Sequence, residues 1–178
     1  MKRAVFLDRD GVINRKAPQG LYITRWEEFQ FLPGVAEAIA LLNKANFSVF
    51  AVTNQRCVAK GLLTVNELES IHKRMCQELA AGGGMITEVY YCPHETHTTC
   101  SCRKPAPGML LTAARAHEID LTESWMIGDS DSDTEAGRKA GCKTVRISNG
   151  DDEPGNGDAD ILARSLLDAA HQVLAFES

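Results

Sequence analysis

The sequence predicts an α/β protein, a Rossmann-like three-layer sandwich with a central parallel sheet. Two observations favour this fold class. Short apolar runs alternate along the chain with longer segments of helical periodicity. Strands that are separated by helices pair in parallel and are covered by helices on both faces. With 178 residues, 44% of them hydrophobic, the chain is long enough for one packed core, and we expect a single domain over residues 1–178 without a large cap domain.

The apolar runs predict six strands, and two aspartates, Asp8 and Asp10, follow the end of the first strand. The strands cover residues 2–7, 47–52, 86–91, 124–127, 143–147 and, as a short last strand, 160–162. Gly11 follows the first strand and allows a tight turn out of the sheet. The polar segments at 14–28 and 148–158 are expected to be loops.

Five segments have the apolar spacing of amphipathic helices. They cover residues 33–45, 64–81, 109–117, 132–141 and 165–176. Thr64 and Glu67 form a capping box at the start of the second helix, and Ser132 with Glu135 is expected to cap the fourth. Asp131 and Asp133 could also bind a metal directly or through water, but we favour a place for Asp133 at the start of the fourth helix, where its charge suits the helix dipole.

The composition limits the classes of partner. The formal net charge of −5 disfavours a general role in binding nucleic acid or anionic membranes. The chain contains no run of 18 apolar residues and begins without a signal-peptide pattern. We therefore expect a cytoplasmic monomer that acts on a small molecule.

Polar side chains follow three of the predicted strands at the point where each strand ends. Because the carboxyl ends of parallel strands meet at one edge of a sheet, we expect these side chains to lie close together. Lys104 begins a helix on the way from the third strand to the fourth, so it can reach the same edge. The gathered set is Asp8, Asp10, Thr53, Asn54, Asp129 and Lys104.

That set of groups suits phosphoryl transfer. Carboxylates bind Mg²⁺ well, and a lysine and a hydroxyl can hold phosphate oxygens. One further carboxylate can attack phosphorus and form an aspartyl-phosphate. Taken singly, each residue is explained more simply as a turn, a helix cap or a solvated surface group. Their coincidence at four successive element ends favours a site.

A cysteine cluster lies between the third strand and Lys104. Cys92, His94, Cys100 and Cys102 follow the pattern C-x-H-x5-C-x-C, and three thiolates with one imidazole fit a closed tetrahedral zinc site. Since no ligand position is left open, we interpret the zinc as structural, stabilising the loop at 92–104. Free thiols or a redox pair are the alternatives. The other three cysteines, Cys57, Cys76 and Cys142, are expected to pack as small apolar residues.

The chain resembles the haloacid dehalogenase (HAD) superfamily of phosphatases across nearly its whole length. The motifs that carry the resemblance are residues 8–12 (DRDGV), Thr53, Lys104 and residues 128–131 (GDSD). The resemblance implies that Asp8 is the nucleophile and that Asp10 is the general acid and base. It also implies that Thr53 and Lys104 stabilise the phosphoryl group, and that Asp8, the Asp10 backbone carbonyl and Asp129 bind Mg²⁺.

The zinc pattern resembles one branch of the superfamily, the histidinol-phosphatase-like branch. This branch contains D-glycero-D-manno-heptose 1,7-bisphosphate 7-phosphatases and histidinol-phosphate phosphatase domains. Residues 53–56, 60–62 and 103–111 resemble the heptose enzymes more closely. The resemblance implies removal of the 7-phosphate from a sugar bisphosphate, in nucleotide-activated heptose synthesis for lipopolysaccharide or capsule. The departures are Cys57, where a glycine is usual, and a longer loop at 16–21.

The resemblance also implies a set of substrate contacts. Arg103 is expected to bind the distal phosphate or the sugar, because a guanidinium can do so with two hydrogen bonds. The full set is Arg9, Gly20, Leu21, Tyr22, Ile23, Asn54, Gln55, Arg56, Arg103 and Ser130. Two alternatives are the same chemistry on histidinol phosphate and a zinc-organised binding module. A phosphoryl mutase would need a closing cap, for which no segment is long enough.

Overall fold

In the computed structural model, which describes residues 1–148 and 159–177, the strands form one six-stranded parallel sheet. The strand order is β3-β2-β1-β4-β5-β6. The strands are β1 (Arg3–Leu7), β2 (Phe47–Asn54), β3 (Glu88–Cys92), β4 (Trp125–Gly128), β5 (Lys143–Ile147) and β6 (Ile161–Ala163). The predicted fold class is confirmed.

Helices pack on both faces of this sheet. They are α1 (Val35–Lys44), α2 (Val65–Ala81), α3 (Gly108–His117), α4 (Asp131–Ala140) and α5 (Leu166–Phe176). Alternate side chains of β1 point into two separate cores, as the pleat of a strand requires. Val5 and Leu7 pack with α1, α2 and α5, whereas Ala4 and Phe6 pack with α3. The result is the predicted three-layer sandwich.

The strand order reverses direction at β1, which lies between β2 and β4. In sheets of this order, ligands bind in the crevice beyond the carboxyl ends of the strands at the reversal. Leu7, the last residue of β1, is in register with Ile127 of β4. Asp8 and Asp129 therefore leave the sheet side by side.

The start of α4 differs from the prediction. Ser130, not Ser132, caps the helix, and its partner is Asp133. The Ser130 hydroxyl lies 2.7 Å from Asp133 Oδ2, and the Ser130 backbone N–H donates to the same oxygen at 3.1 Å. Since α4 begins at Asp131, directly after the cap residue Ser130, Asp133 is its third residue, and the predicted place of Asp133 at the helix start is confirmed.

The remaining differences are small. Short 3₁₀ turns at Trp26–Glu28 and Leu121–Glu123 interrupt segments that were predicted to be irregular. The loop predicted at 148–158 lies, apart from Ser148, outside the described residues. Within the described part of the chain, none of the helices has the length and apolar character that a membrane span requires.

Gly128 allows α4 to pack closely against the end of β4. A Cβ added at Gly128 would overlap the Asp133 side chain, whose own Cβ cannot move away without shifting the helix. We expect Gly128→Ala to lower the free energy of unfolding by about 1–3 kcal/mol, the usual cost of overpacking. Urea denaturation measures the change. Glu135→Ala, on the exposed face of the same helix, is the control, and equal midpoints for the two variants would contradict the close contact.

Candidate active site

One buried lysine joins three structural elements at the carboxyl edge of the sheet. Lys104 Nζ lies 2.7 Å from Asp8 Oδ1, 2.7 Å from Asp133 Oδ1 and 2.7 Å from the carbonyl oxygen of Val52. These three contacts match the three N–H groups of an ammonium. Because Lys104 is only 4% exposed, the charges interact with little screening by water.

Asn54 holds the backbone of Lys104 in place. Its side-chain Nδ2 donates to the Lys104 carbonyl at 3.1 Å, and its Oδ1 accepts from the Lys104 N–H at 3.0 Å. The last residue of β2 thus determines where the segment after the cysteine cluster crosses the sheet edge. Lys104 reaches the edge at which the sequence predicts it.

The charges around Lys104 shift the pKa values of both Asp8 and Lys104. Burial, followed by the charge of Asp133, raises the pKa of Asp8 to about 7, although Lys104 acts in the opposite direction. Burial alone would lower the pKa of Lys104, but the charges of Asp133 and Asp8 outweigh it and raise the pKa. The lysine is therefore charged while Asp8 titrates near neutral pH.

The residues at this edge fit a magnesium ion. Asp8, Asp129 and Asp133 each place a carboxylate oxygen within 4.8 Å of the others. Oδ1 of Asp129 is buried and has no hydrogen-bond partner among the described residues, so an oxygen ligand is available. Gly11 leaves room beside it, because a Cβ at that position would overlap the Asp129 carboxylate. Mg²⁺ prefers oxygen ligands and is usually bound by only one or two protein carboxylates.

Asp10 is held in a different way, by hydrogen bonds to both of its oxygens. Arg9 Nη2 lies 3.0 Å from Oδ1, Asn14 Nδ2 donates to Oδ1 at 2.9 Å, and Gln55 Nε2 donates to Oδ2 at 3.0 Å. Burial alone would raise the pKa of Asp10, but the Arg9 charge and these hydrogen bonds hold it below its usual value. The Asp10 carboxylate is ionised and fixed in orientation.

A cleft of about 220 Å³ opens beside Asp10. Apolar side chains of the loop after β1 form much of its wall, and the end of β2 forms the rest. The predicted contacts at residues 20–23, Asn54 and Gln55 line the cleft, but Arg56 does not. The full lining is Asp10, Lys16, Ala17, Pro18, Gln19, Gly20, Leu21, Tyr22, Ile23, Asn54 and Gln55. A small polar molecule placed here would have one end at Asp10.

The cysteine cluster is assembled as the sequence predicts. Cys92 Sγ lies 3.8 Å from Cys100 Sγ and 3.1 Å from Cys102 Sγ, and His94 Nδ1 lies 3.2 Å from Cys102 Sγ. All four residues offer ligand atoms within 4.8 Å of one another, and the cysteines are free thiols. The ligands of a tetrahedral zinc ion are roughly 3.5–3.8 Å apart, so the cluster fits zinc.

The pKa values of two thiols in the cluster are shifted in opposite directions. Burial alone would raise the pKa of Cys100, but the Arg103 backbone N–H and hydrogen bonds within the cluster lower it to about 7. Burial and the neighbouring thiols raise the pKa of Cys102 to about 12. The cluster does not ionise fully by itself at neutral pH, and a bound divalent cation would remove the repulsion between its thiolates.

Two arginines are attached to this cysteine loop. Arg103 Nη1 donates to the His94 carbonyl at 3.3 Å, and Arg56 forms an ion pair with Glu95. Neither arginine lines the cleft beside Asp10. The predicted substrate contacts of both arginines remain predictions.

Comparison with known proteins extends these observations. A HAD-hydrolase-like family model matches residues 101–169. A D-glycero-beta-D-manno-heptose-1,7-bisphosphate 7-phosphatase from Rhodopseudomonas palustris is 41% identical over 171 residues, covering 92% of this chain and 89% of the relative. One from Pseudomonas putida is 40% identical, covering 85% of each chain.

The chain belongs to this phosphatase family. A crystal structure of D,D-heptose 1,7-bisphosphate phosphatase from B. bronchiseptica, complexed with magnesium and phosphate, agrees with the assignment. It has a TM-score of 0.86 at 34% identity and covers 98% of this chain and 99% of that chain. The predicted HAD resemblance and the phosphatase class are thereby confirmed.

The guanidinium of Arg9 contacts protein groups, and the substrate contact predicted for Arg9 remains a prediction. The residue is fully buried, and its guanidinium is used by Asp10 and by His72, whose Nε2 accepts from Arg9 Nη1 at 3.1 Å. Burial and the Arg9 charge lower the pKa of His72 to about 3, so the ring is neutral. Arg9 orients Asp10, and His72 supports Arg9. The helical spacing of His72 in the sequence carries no signal of this contact.

Three other predicted site residues have clear positions. Thr53 is buried at the end of β2, and its hydroxyl accepts from Gln55 Nε2 at 2.8 Å. Gln55 thus links Thr53 to Asp10. Ser130 uses its hydroxyl to cap α4. The roles of Thr53, Gln55 and Ser130 towards a substrate remain predictions.

The raised pKa of Asp8 predicts a pH-dependent stability in metal-free protein. Asp8 ionises near 3.8 when unfolded but near 7 when folded, so the free energy of unfolding falls as pH rises through that range. Asp8→Asn has no such group. Between pH 5 and 8, in a chelator, we expect the wild type to lose on the order of 2 kcal/mol relative to Asp8→Asn. Guanidinium denaturation at each pH measures this, and parallel profiles would contradict the shift.

The cysteine cluster predicts a second result. Cys100→Ser removes one of four ligands, so we expect the zinc content to fall well below one ion per chain and the thermal midpoint to drop. Elemental analysis after dialysis measures the zinc. The control is Cys76→Ser, a half-buried cysteine outside the cluster, which should keep its zinc. Stoichiometric zinc in the Cys100→Ser protein would rule out the four-ligand site.

Proposed function

We propose that this phosphatase removes the 7-phosphate of D-glycero-D-manno-heptose 1,7-bisphosphate through an aspartyl-phosphate on Asp8. The observation that carries the proposal is the buried cluster of Asp8, Lys104 and Asp129, in which Asp129 Oδ1 has no hydrogen-bond partner within residues 1–148 and 159–177. Relatives with identities between 35% and 41% bear the corresponding name. The product would serve nucleotide-activated heptose synthesis for lipopolysaccharide or capsule.

Asp8 is the nucleophile in this proposal. Lys104 holds the Asp8 carboxylate by one oxygen, which leaves the other oxygen to attack phosphorus. Asp8, the Asp10 backbone carbonyl and Asp129 would hold Mg²⁺. When bound, the ion favours the ionised form of Asp8 and offsets charge on the phosphoryl oxygens. Thr53 and Lys104 would stabilise the same oxygens.

Asp10 moves the proton. It gives a proton to the leaving oxygen of the sugar and later takes one from the water that hydrolyses the aspartyl-phosphate. In the protein alone, Arg9 and the surrounding hydrogen bonds keep Asp10 ionised. A phosphate dianion placed in the cleft raises the pKa of this carboxyl by like-charge repulsion, so substrate binding would itself protonate Asp10.

The rest of the substrate would lie along the cleft and towards the cysteine loop. Residues 20–23 and Asn54 border the cleft, and the contact between Arg103 and the His94 carbonyl fixes the arginine beside the zinc loop. A guanidinium held in this way suits the distal phosphate. The zinc would thereby influence substrate specificity without taking part in the reaction.

We also propose that the protein works as a monomer in the cytoplasm. A site of three thiolates requires a compartment that keeps cysteines reduced. Light scattering of the purified protein would test the monomer, and a mass of two or more chains would reject it.

Substrate comparison tests the function. We expect kcat/KM for the heptose bisphosphate to exceed that for histidinol phosphate by roughly two orders of magnitude, because a distal phosphate contact is lost on the smaller substrate. Asp8→Asn should have no measurable turnover on either, since a carboxamide does not attack phosphorus. Faster turnover of histidinol phosphate would reject the heptose assignment, and activity in Asp8→Asn would reject the nucleophile.

A further inference from the structure

A lysine of the cleft wall lies on the carboxylate that offers the free oxygen. Lys16 Nζ lies 2.5 Å from Asp129 Oδ2. The two partners differ in exposure, because the Lys16 side chain is 54% exposed and that of Asp129 only 6%. Lys16 belongs to the loop after β1, and it lines the cleft together with Asp10.

This contact completes a set of charge pairs. Lys104 pairs with Asp8 and Asp133, and Lys16 pairs with Asp129. Each of the three clustered carboxylates therefore has an ammonium within hydrogen-bond distance in the metal-free protein. Buried carboxylates this close together repel one another, and the two lysines offset that repulsion.

Lys104 and Lys16 differ in burial and in the number of contacts that their ammonium groups make. Lys104 is buried, and its ammonium makes three contacts with fixed groups. Lys16 reaches Asp129 from solvent, and its ammonium has this one side-chain partner in the contacts of the described residues. An exposed lysine with one ion pair can leave at small cost. Lys16 is the cation that can be exchanged.

We infer that Lys16 is a built-in competitor of the magnesium ion at Asp129. The inference rests on the magnesium site of the proposed function. Two cations on one buried carboxylate repel each other, so the ammonium of Lys16 leaves Asp129 when the metal binds. The position of Gly11 supports this inference. A Cβ added at Gly11 would overlap the Asp129 carboxylate and would also clash with Lys16 Cε. Lys16 and Gly11 thus both lie against the Asp129 carboxylate.

Two consequences follow for the molecule. Lys16 protects the carboxylate cluster from self-repulsion while the metal is absent, and it weakens the affinity for Mg²⁺ because its charge lies on the other oxygen of the Asp129 carboxylate. Metal binding also releases an ammonium at the wall of the cleft, beside Asp10. Magnesium affinity in this chain is thus set by a loop residue that is not itself a ligand.

Calorimetric titration of the metal-free protein with MgCl₂ tests the inference without turnover. Lys16→Met keeps the length of the side chain and removes its charge, and we expect Mg²⁺ to bind roughly fivefold more tightly. Lys16→Arg retains the charge and should bind Mg²⁺ much as the wild type does. The matched control is Lys60→Met, since Lys60 Nζ lies 5.9 Å from the centre of the Tyr22 ring at the cleft. It removes the same charge, and its affinity should stay within about twofold of the wild type.

The thermal midpoint provides a second readout. In a chelator, Lys16→Met should melt at a lower temperature than the wild type, because Asp129 has lost its counter-charge. At saturating Mg²⁺ the two midpoints should coincide or reverse. Equal magnesium affinity in Lys16→Met and the wild type would overturn the inference while leaving the proposed function intact. A wild type that binds no Mg²⁺ would overturn both.

Discussion

The ammonium of Lys104 is the interaction on which the rest of the site depends. It lies between the carboxylates of Asp8 and Asp133 and donates its third hydrogen bond to the carbonyl of Val52. Two carboxylates this deeply buried would be strongly destabilising without a paired cation. One lysine therefore joins β1, β2 and α4 at the edge of the sheet. The loop that carries it is tied to β2 by Asn54 and begins at the cysteine cluster.

The two aspartates after β1 differ in protonation because their surroundings differ. Asp8 is surrounded by other carboxylates, and its pKa is raised to about 7 by burial and by Asp133. Asp10, two residues on, is held by Arg9 and by two amides, and its pKa is lowered. Paired carboxylates with separated pKa values are typical of sites that combine a nucleophile with a proton carrier. The neutral ring of His72 completes this arrangement by holding Arg9 from behind.

The sequence predicted the features of the site that depend on the order of strands and helices along the chain. It missed the contacts that depend on the direction of individual side chains. Strand ends in a parallel sheet share one edge, so the meeting of Asp8, Lys104 and Asp129 could be deduced from element order. The four zinc ligands were also predictable, because their spacing is local. Helical periodicity shows only which face of α2 is buried. It does not show that His72 on that face meets a buried arginine.

Two further features lie beyond sequence reasoning for similar reasons. Both Ser130 and Ser132 can cap a helix, and only the position of β4 decides between them. Lys16 lies in a loop without periodicity, where nothing in the pattern predicts contact with Asp129. Both features involve carboxylates of the cluster formed by Asp8, Asp129 and Asp133. The sequence therefore predicts which residues meet at the site. It does not predict the contacts that Ser130 and Lys16 make with the carboxylates of that site.

Covalent trapping tests the central claim, that Asp8 attacks phosphorus, most directly. In Asp10→Asn the water-activating group is absent, and p-nitrophenyl phosphate has a leaving group that needs no protonation. Acid quenching after mixing with Mg²⁺ and this substrate, followed by peptide mass spectrometry, should find one phosphoryl group on Asp8. The adduct should be absent without Mg²⁺ and in the Asp8→Asn, Asp10→Asn double variant. Release of p-nitrophenol without any adduct on Asp8, or an adduct on another residue, would contradict the account.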